Sequence, residues 1–268
     1  MNKKIYGAGL LLALGLSAIG SAHATPINLL SLGSTYTQNF DTLSNTDGST
    51  TNSSLPTGWA LTESGGGARD NEQYAVNTGS SNTGDTYSYG ATGSADRALG
   101  GLRSGTLIPI IGAEFFNNTG STITLLDITF IGEQWRLSAA NRTDRLAFQY
   151  STNATSLTTG TYLDFTALDF VTPNTSSPGA HNGNTVGNFT AVSATITGLK
   201  IADNASFWLR WTDIDATGYD DGLAIDNFSL TARGTVPPVP QSVPEPGSLA
   251  LASLALLGLL ATRRHNRN

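Results

Sequence analysis

The sequence contains no cysteine, a single methionine and only three histidines. Without thiols, no disulfide can stabilise the fold, and no cysteine can act as a nucleophile or metal ligand. His23 and His265 lie near the two ends of the chain, so His181 is the one histidine left in the middle. These absences exclude a histidine-rich zinc site. They also argue against Ser-His-Asp chemistry, which would depend on His181 alone.

Basic residues are scarce in the central part of the chain. Five of the 14 lysines and arginines lie near the ends: Lys3, Lys4, Arg263, Arg264 and Arg267. Residues 25–242 keep 9 basic side chains against 19 of the 20 acidic ones, a net charge of −10. Such a surface repels phosphate backbones, so we do not expect a nucleic-acid partner. It suits cations or neutral polymers such as polysaccharide.

The first 24 residues have the pattern of a secretory signal peptide. Lys3 and Lys4 precede an apolar run over residues 5–19, and the small-residue motif Ala22-His23-Ala24 follows. A charged start, a short apolar stretch and an Ala-x-Ala site are what signal peptidase recognises. We therefore expect cleavage after Ala24 and export from the cytoplasm.

The last 26 residues, 243–268, combine a proline box, an apolar run and arginines. Pro244-Glu245-Pro246 is followed by small and apolar residues over 249–261 and then by Arg263 and Arg264. Leucine and alanine favour a helix, which the prolines prevent from extending backwards. The arginines favour the cytoplasmic side of a membrane. The pattern predicts a short transmembrane helix, although the run is below the roughly 20 residues of a comfortable span.

This tail resembles the PEP-CTERM sorting signal of Gram-negative bacteria. The resemblance implies recognition by an exosortase at the inner membrane, with cleavage near Pro244-Glu245-Pro246. It also implies a host that makes extracellular polysaccharide. The same tail is also known by an ice-binding-protein label. That label refers to the sorting signal and is not evidence of ice binding. We expect a protein anchored by its C-terminal helix before processing and placed at the cell surface or outside the cell afterwards.

The middle of the chain, residues 25–233, has short, alternating apolar runs and loops rich in Asn, Ser, Thr and Gly. It lacks the apolar spacing of an amphipathic helix. This predicts an all-β fold, a single jelly-roll or lectin-like β-sandwich with long polar loops. A proline-rich stalk over residues 234–242 would join it to the sorting signal. We expect a bulge at Gly132 and another break near Asp226-Asn227, where the apolar phase shifts.

Four short motifs resemble a recurrent exported bacterial module that also stands before PEP-CTERM tails. They are residues 38–41, 132–136, 148–151 and 220–226. The resemblance implies a jelly-roll or lectin-like sandwich and no settled activity.

The segment 211–222 carries an unusual concentration of aspartates. Asp213, Asp215, Thr217 and Gly218 match the start of an EF-hand loop, but Ala224 stands where that loop needs glutamate, and strands flank it. A calcium site of another geometry is one hypothesis. The alternative is a hairpin whose carboxylates cap backbone N–H groups. The candidate ligands are Asp213, Asp215, Asp220, Asp221 and Asp226.

Glu133, Trp135 and Arg136 form a second candidate site. A carboxylate beside an aromatic residue on a strand is typical of a sugar-binding face. Paired with an aspartate of the 213–226 segment across a cleft, Glu133 would instead be a glycosidase acid. The third interpretation is structural, with Trp135 in a core and Glu133 in contact with Arg136.

Three functions remain open from the sequence. The first is a non-catalytic, exosortase-sorted surface or matrix protein that binds polysaccharide, with or without Ca²⁺. The second is a secreted hydrolase acting on polysaccharide through carboxylates. The third is adhesion to ice or another surface through threonine-rich strands, for which the sequence has no fixed-period threonine repeat.

Processing at the N-terminus is directly testable. In a secreting Gram-negative host, we expect N-terminal mass spectrometry to identify Thr25 as the first residue of the exported protein. Replacing Ala24→Arg should leave the leader attached, because signal peptidase requires a small residue there. A mature chain that begins elsewhere would contradict the assignment.

Overall fold

Alternation of apolar and polar residues produces strands throughout the residues that the computed structural model describes, 25–235. These residues contain no α-helix, and Thr166–Leu168 forms one 3₁₀ turn. Accordingly, no helix within this range is long and apolar enough to cross a membrane. The strands are β1 Ile27–Leu29, β2 Thr35–Gln38, β3 Trp59–Ser64, β4 Tyr74–Asn77, β5 Asp85–Tyr89, β6 Ala98–Leu102, β7 Ile108–Asn117, β8 Thr122–Leu137, β9 Arg145–Ser151, β10 Leu163–Asp164, β11 Phe170–Val171, β12 Gly179–Ala180, β13 Phe189–Ile196, β14 Ser206–Asp213 and β15 Gly222–Thr235.

Two sheets form the fold, and the predicted all-β sandwich is confirmed. Sheet A has the order β1-β7-β14-β9-β10, with β3 also on β7 and β11 also on β9. Sheet B has the order β12-β8-β15-β6-β5-β4, with β13 also on β8 and β2 also on β15. Neighbouring strands are mostly distant in sequence, which means that the fold depends on long-range pairing.

Aromatic side chains from both sheets meet in the core around Trp211, which is 1 % exposed. Its ring stacks on Trp59 with centroids 5.9 Å apart and meets Phe130, Phe148 and Phe228 edge to face at 5.2 to 5.8 Å. Edge-to-face and offset-stacked pairs contribute beyond the area they bury. This cluster joins sheets that no disulfide connects.

The break expected at Asp226-Asn227 is present in β15. Before it, Leu223 to Ile225 pair with β6, and after it, Phe228 to Thr231 pair with β2. Asn227 adopts a left-handed backbone conformation, with φ of 48°. The change lets Ile225 and Phe228 both enter the core, and it directs Asp226 to the other face of sheet B.

Gly132 was expected to form a bulge, but it instead allows a close packing contact. The pairing of β8 with β13 runs without interruption from Leu126 to Glu133, so Gly132 causes no bulge on that side. The ring of Phe170 occupies the space above it, where a Cβ on Gly132 would lie 2.2 Å from the ring. Glycine is needed here for close approach.

A smaller apolar cluster covers the outer face of sheet B, and the glycine-rich segment 64–106 contributes most of it. The cluster joins β4, β5, β6, β8 and β15 through Ala75, Tyr87, Tyr89, Ala98, Leu102, Trp135 and Ala224. Strand β4 was not expected from the sequence, because three of its four residues are buried and it shows no alternation.

The predicted ends of the chain lie outside the described residues. These are the signal peptide 1–24 and residues 236–268, with most of the stalk and the whole sorting signal. Strand β15 continues to Thr235 and so includes the first two residues of the predicted stalk. The described residues up to Gly234 belong to one compact unit.

The contact at Gly132 generates a stability prediction. Gly132→Ala should lower the free energy of unfolding by about 1–3 kcal/mol, because the new methyl group overlaps the Phe170 ring. Gly105→Ala is the matched control, since nothing lies within 4 Å of a Cβ there. Urea denaturation would compare the two. The double change with Phe170→Leu should recover part of the loss; equal stability of both single variants would contradict the packing argument.

Candidate functional site

One end of the sandwich gathers four aspartates at the ends of three strands. Asp213 closes β14, Asp144 immediately precedes β9, and Asp220 and Asp221 precede β15. All four aspartates are buried, with 0 % to 6 % of each exposed. We call this group the aspartate cluster.

Asp144 and Asp221 join the loop between β8 and β9 to the loop between β14 and β15. The Oδ1 atom of Asp221 accepts hydrogen bonds from the Ser138 amide at 2.7 Å and from Arg142 Nη2 at 2.9 Å. Asp144 accepts from the amides of Arg145 and Asp221, both at 2.7 Å. Backbone amides and one guanidinium therefore compensate these two buried carboxyl groups.

Asp213, Asp215 and Asp220 are held by Arg103 and by the backbone. Asp213 accepts from the Arg103 amide at 3.0 Å, and the Arg103 guanidinium lies 3.5 Å from exposed Asp215. Asp220 caps the Ala216 amide at 2.8 Å. The capping hairpin considered from the sequence matches these contacts.

The five predicted calcium ligands do not converge on one point. Asp226 lies on the outer face of sheet B, apart from the aspartate cluster. Among the residues described, no three acidic or histidine side chains are grouped so that they could hold a metal ion. The calcium site thus stays a prediction.

Burial changes the acid–base behaviour of the aspartate cluster. Desolvation, together with the neighbouring aspartates, raises the pKa of Asp144 to about 6. The same two causes raise the pKa of Asp213 well above its usual range. Its Oδ1 atom is buried without a hydrogen-bond partner, as suits a carboxyl group that keeps its proton.

Glu133 and Trp135 are buried, with 2 % and 1 % exposed. Trp135 stacks on Tyr89 with centroids 5.9 Å apart, and its Nε1 donates to Glu133 at 2.8 Å. Arg136 does not contact Glu133 as the structural interpretation supposed. It donates instead to the carbonyl oxygens of Gly79 and Ser80, at 3.1 and 3.4 Å, and it lines a cavity.

Glu133 and Asp226 form a buried carboxyl pair. Desolvation raises the pKa of Glu133 to about 7. It raises the pKa of Asp226 to about 8, with the charge of Glu133 adding to the shift. Each residue is 2 % exposed, so a polymer cannot reach the carboxyl groups as a glycosidase would require.

A cavity of about 480 Å³ opens beside the aspartate cluster. Tyr219 is one of its lining residues, and 74 % of this side chain is exposed. We call it the Tyr219 cavity. Its polar lining comes from four separate loops and one strand. The polar and aromatic side chains are Asn82, Arg103, Ser104, Arg136, Ser138, Tyr219 and Asp220.

Sequence reasoning missed Tyr219, because the surrounding aspartates directed attention to a cation site. The signal available was an aromatic residue in a loop of small and polar residues, after Gly218. Gly218 has a φ of 98°, which turns the chain just before the exposed ring.

Another cavity, of about 430 Å³, lies on the outer face of sheet A and shares Arg103 with the Tyr219 cavity. Most of its charged groups are already engaged. Arg210 packs 3.6 Å from the ring centre of Tyr162 and donates to Gln149 at 2.7 Å. Arg145 lies 3.7 Å from Asp169. Unlike the Tyr219 cavity, it has no aromatic side chain in its lining.

In a comparison with known protein families, residues 242–264 match the PEP-CTERM protein-sorting motif. The chain therefore carries a PEP-CTERM sorting motif at residues 242–264, as the tail predicted. A search of curated proteins found no match to the chain.

Several solved structures resemble the chain weakly. The CBM22-1 xylan-binding domain from Paenibacillus barcinonensis has 10 % identity and a TM-score of 0.36, covering 78 % of this chain and 100 % of that domain. The K1 cleaved adhesin domain of Lys-gingipain from Porphyromonas gingivalis W83 has 13 % identity and a TM-score of 0.38, covering 75 % and 100 %.

The enzymatically active domain of tailspike protein 4 from bacteriophage CBA120 has 10 % identity and a TM-score of 0.36. The match covers 71 % of this chain but only 21 % of the tailspike chain. All three TM-scores are too low to inform the ligand of this protein.

The raised pKa values predict a stability that falls with increasing pH. Unfolded carboxyl groups titrate near pH 4, so between about pH 4 and 8 the folded state keeps protons that the unfolded state has released. The free energy of unfolding should therefore fall across this range. Asp226→Asn should flatten the curve and add at least about 1 kcal/mol at pH 8.

Urea denaturation at intervals from pH 4 to pH 8 would measure this effect. Asp47→Asn removes an exposed carboxylate and serves as the control, which should leave the slope unchanged. If Asp226→Asn and Asp47→Asn give the same slope, the buried proton on Asp226 is absent.

Proposed function

We propose that the processed protein is a non-catalytic component of the cell surface or extracellular matrix that binds polysaccharide at the Tyr219 cavity. The observation that carries this proposal is the 74 % exposed ring of Tyr219 beside a cavity with arginine, asparagine and aspartate side chains. An aromatic face packs against the apolar face of a sugar ring, while polar groups around it bond the hydroxyls.

The route to this location follows from the two terminal signals. Signal peptidase would remove residues 1–24, and the C-terminal helix would hold the chain in the inner membrane. An exosortase would then act near Pro244-Glu245-Pro246. The proposal places the sandwich outside the inner membrane, where polysaccharide is available.

Binding without hydrolysis is supported by the position of the carboxyl groups. Glu133 and Asp226 are buried together, away from the Tyr219 cavity. Within the cavity lining, Asp220 is the one carboxylate, and it caps the Ala216 amide. A glycosidase needs two carboxyl groups on either side of the scissile bond.

Affinity electrophoresis of the full chain in detergent, through gels containing soluble polysaccharides, would test the proposal. Tyr219→Ala should weaken retardation about tenfold or more, since stacking of the ring is lost, whereas Tyr219→Phe should retain it. Val186→Ala changes an 87 % exposed residue elsewhere and is the control.

Three results would contradict this assignment. Retardation of Tyr219→Ala equal to that of the unaltered protein would exclude the cavity. Release of soluble sugars from the polymer would favour the hydrolase. Loss of binding on addition of EGTA would favour the calcium-assisted site over the metal-free cavity.

A further inference from the structure

The outer face of sheet B, at the end away from Tyr89 and Trp135, carries a row of hydroxyl groups from four strands. Ser193 of β13 pairs with Thr129 of β8, and Ser229 of β15 pairs with Thr37 of β2. The hydroxyls of Thr129 and Ser229 are 2.7 Å apart and join the two pairs. We call these four residues the hydroxyl row. No sequence repeat generates it, because the strands come from distant parts of the chain.

Next to the hydroxyl row, further polar groups bond to one another and leave no net charge. Thr195 donates to Asp127 at 2.7 Å, and Arg233 donates to the same carboxylate at 2.6 Å. The hydroxyls of Thr35 and Thr231 are also 2.7 Å apart. Arg233 thereby neutralises the charge of Asp127. The surrounding domain, residues 25–242, has a net charge of −10.

A cavity of about 510 Å³ continues the hydroxyl row at its β2–β15 end. Thr37 and Ser229 belong to both features. No lining residue is charged, in contrast to the two cavities that contain arginines and aspartates. The complete lining is Thr37, Gln38, Asn39, Asn227, Phe228 and Ser229.

Local contacts fix the walls of this cavity before any ligand arrives. Phe40 and Asn227 both have left-handed backbone conformations, with φ of 57° and 48°. The Gln38 side chain accepts from the Phe40 amide at 2.8 Å, and Asn227 donates to Asp226 at 2.9 Å. Walls that are already ordered lose little conformational freedom when a ligand binds.

We propose that the hydroxyl row and this cavity together form a second binding surface, which takes a neutral polysaccharide chain. Hydroxyl groups both donate and accept, so each member of the row can bond a sugar hydroxyl in addition to its neighbour. Adjacent strands lie about 4.8 Å apart, so a row that crosses four strands gives an extended polymer several contacts along its length. A charged sugar would gain no ion pair from this lining.

The second surface does not use Tyr219, so it is independent of the proposed function. If both surfaces act, one molecule contacts two polymer segments, and its avidity exceeds the affinity of either surface.

The test uses the full chain in detergent and three neutral probes: microcrystalline cellulose, insoluble xylan and cross-linked dextran. Polygalacturonate gel is the charged comparison. The triple variant Thr37→Val, Thr129→Val and Ser229→Ala removes three hydroxyls, and valine suits a strand. Binding of the triple variant to at least one neutral probe should be about tenfold weaker or more. The Tyr219→Ala variant should retain the part of the binding that the hydroxyl row contributes. Ser31→Ala with Ser34→Ala removes an exposed hydroxyl pair elsewhere and is the control.

A second measurement does not depend on the variants. Hydroxyl-radical footprinting of the unaltered protein on the bound probe should show protection of residues 35–39 and 227–231. Absence of binding to all three neutral probes would overturn the proposal. Equal binding by the triple variant and the control would also overturn it. So would footprinting protection confined to Tyr219, or stronger binding to polygalacturonate than to the neutral probes. Adsorption of the protein to ice alone would do the same.

Discussion

The contact between Trp211 and its aromatic neighbours is the interaction on which the rest of the structure depends. Trp59 comes from β3 and Phe148 from β9 in sheet A, while Phe130 and Phe228 come from sheet B. With no disulfide among the described residues, burial of these rings is what holds the two sheets face to face. The position of every loop at the two ends follows from that alignment.

The same alignment brings many carboxyl groups out of water, and the chain compensates them in two ways. Arg142 and backbone amides bond Asp144 and Asp221, so these charges have partners. Glu133 and Asp226 have fewer partners, and burial raises their pKa values. Hydrogen bonds and raised pKa values thus compensate the buried carboxyl groups of the aspartate-rich segment, and a calcium site there stays a prediction.

Strand alternation predicted the sheets well: Leu146 and Phe148, like Leu209 and Trp211, stand at alternate positions and face the core. Sequence could not place β4, whose residues are buried on both faces. It also could not connect Asp144 with Asp221, which are 77 residues apart, because their contact depends on the tertiary fold. The exposure of Tyr219 and the formation of the hydroxyl row likewise depend on strand pairing. The apolar periodicity of a single segment therefore cannot predict either feature.

The course of β15 has a mechanical consequence. This 14-residue strand bonds to β8 on one side and to β6 and β2 on the other, and the chain leaves it towards the C-terminal sorting signal. A pull along the axis of this strand would load its hydrogen bonds on both sides together in shear instead of opening them one by one. A tether attached here would resist flow and drag through a strand that is paired on both sides.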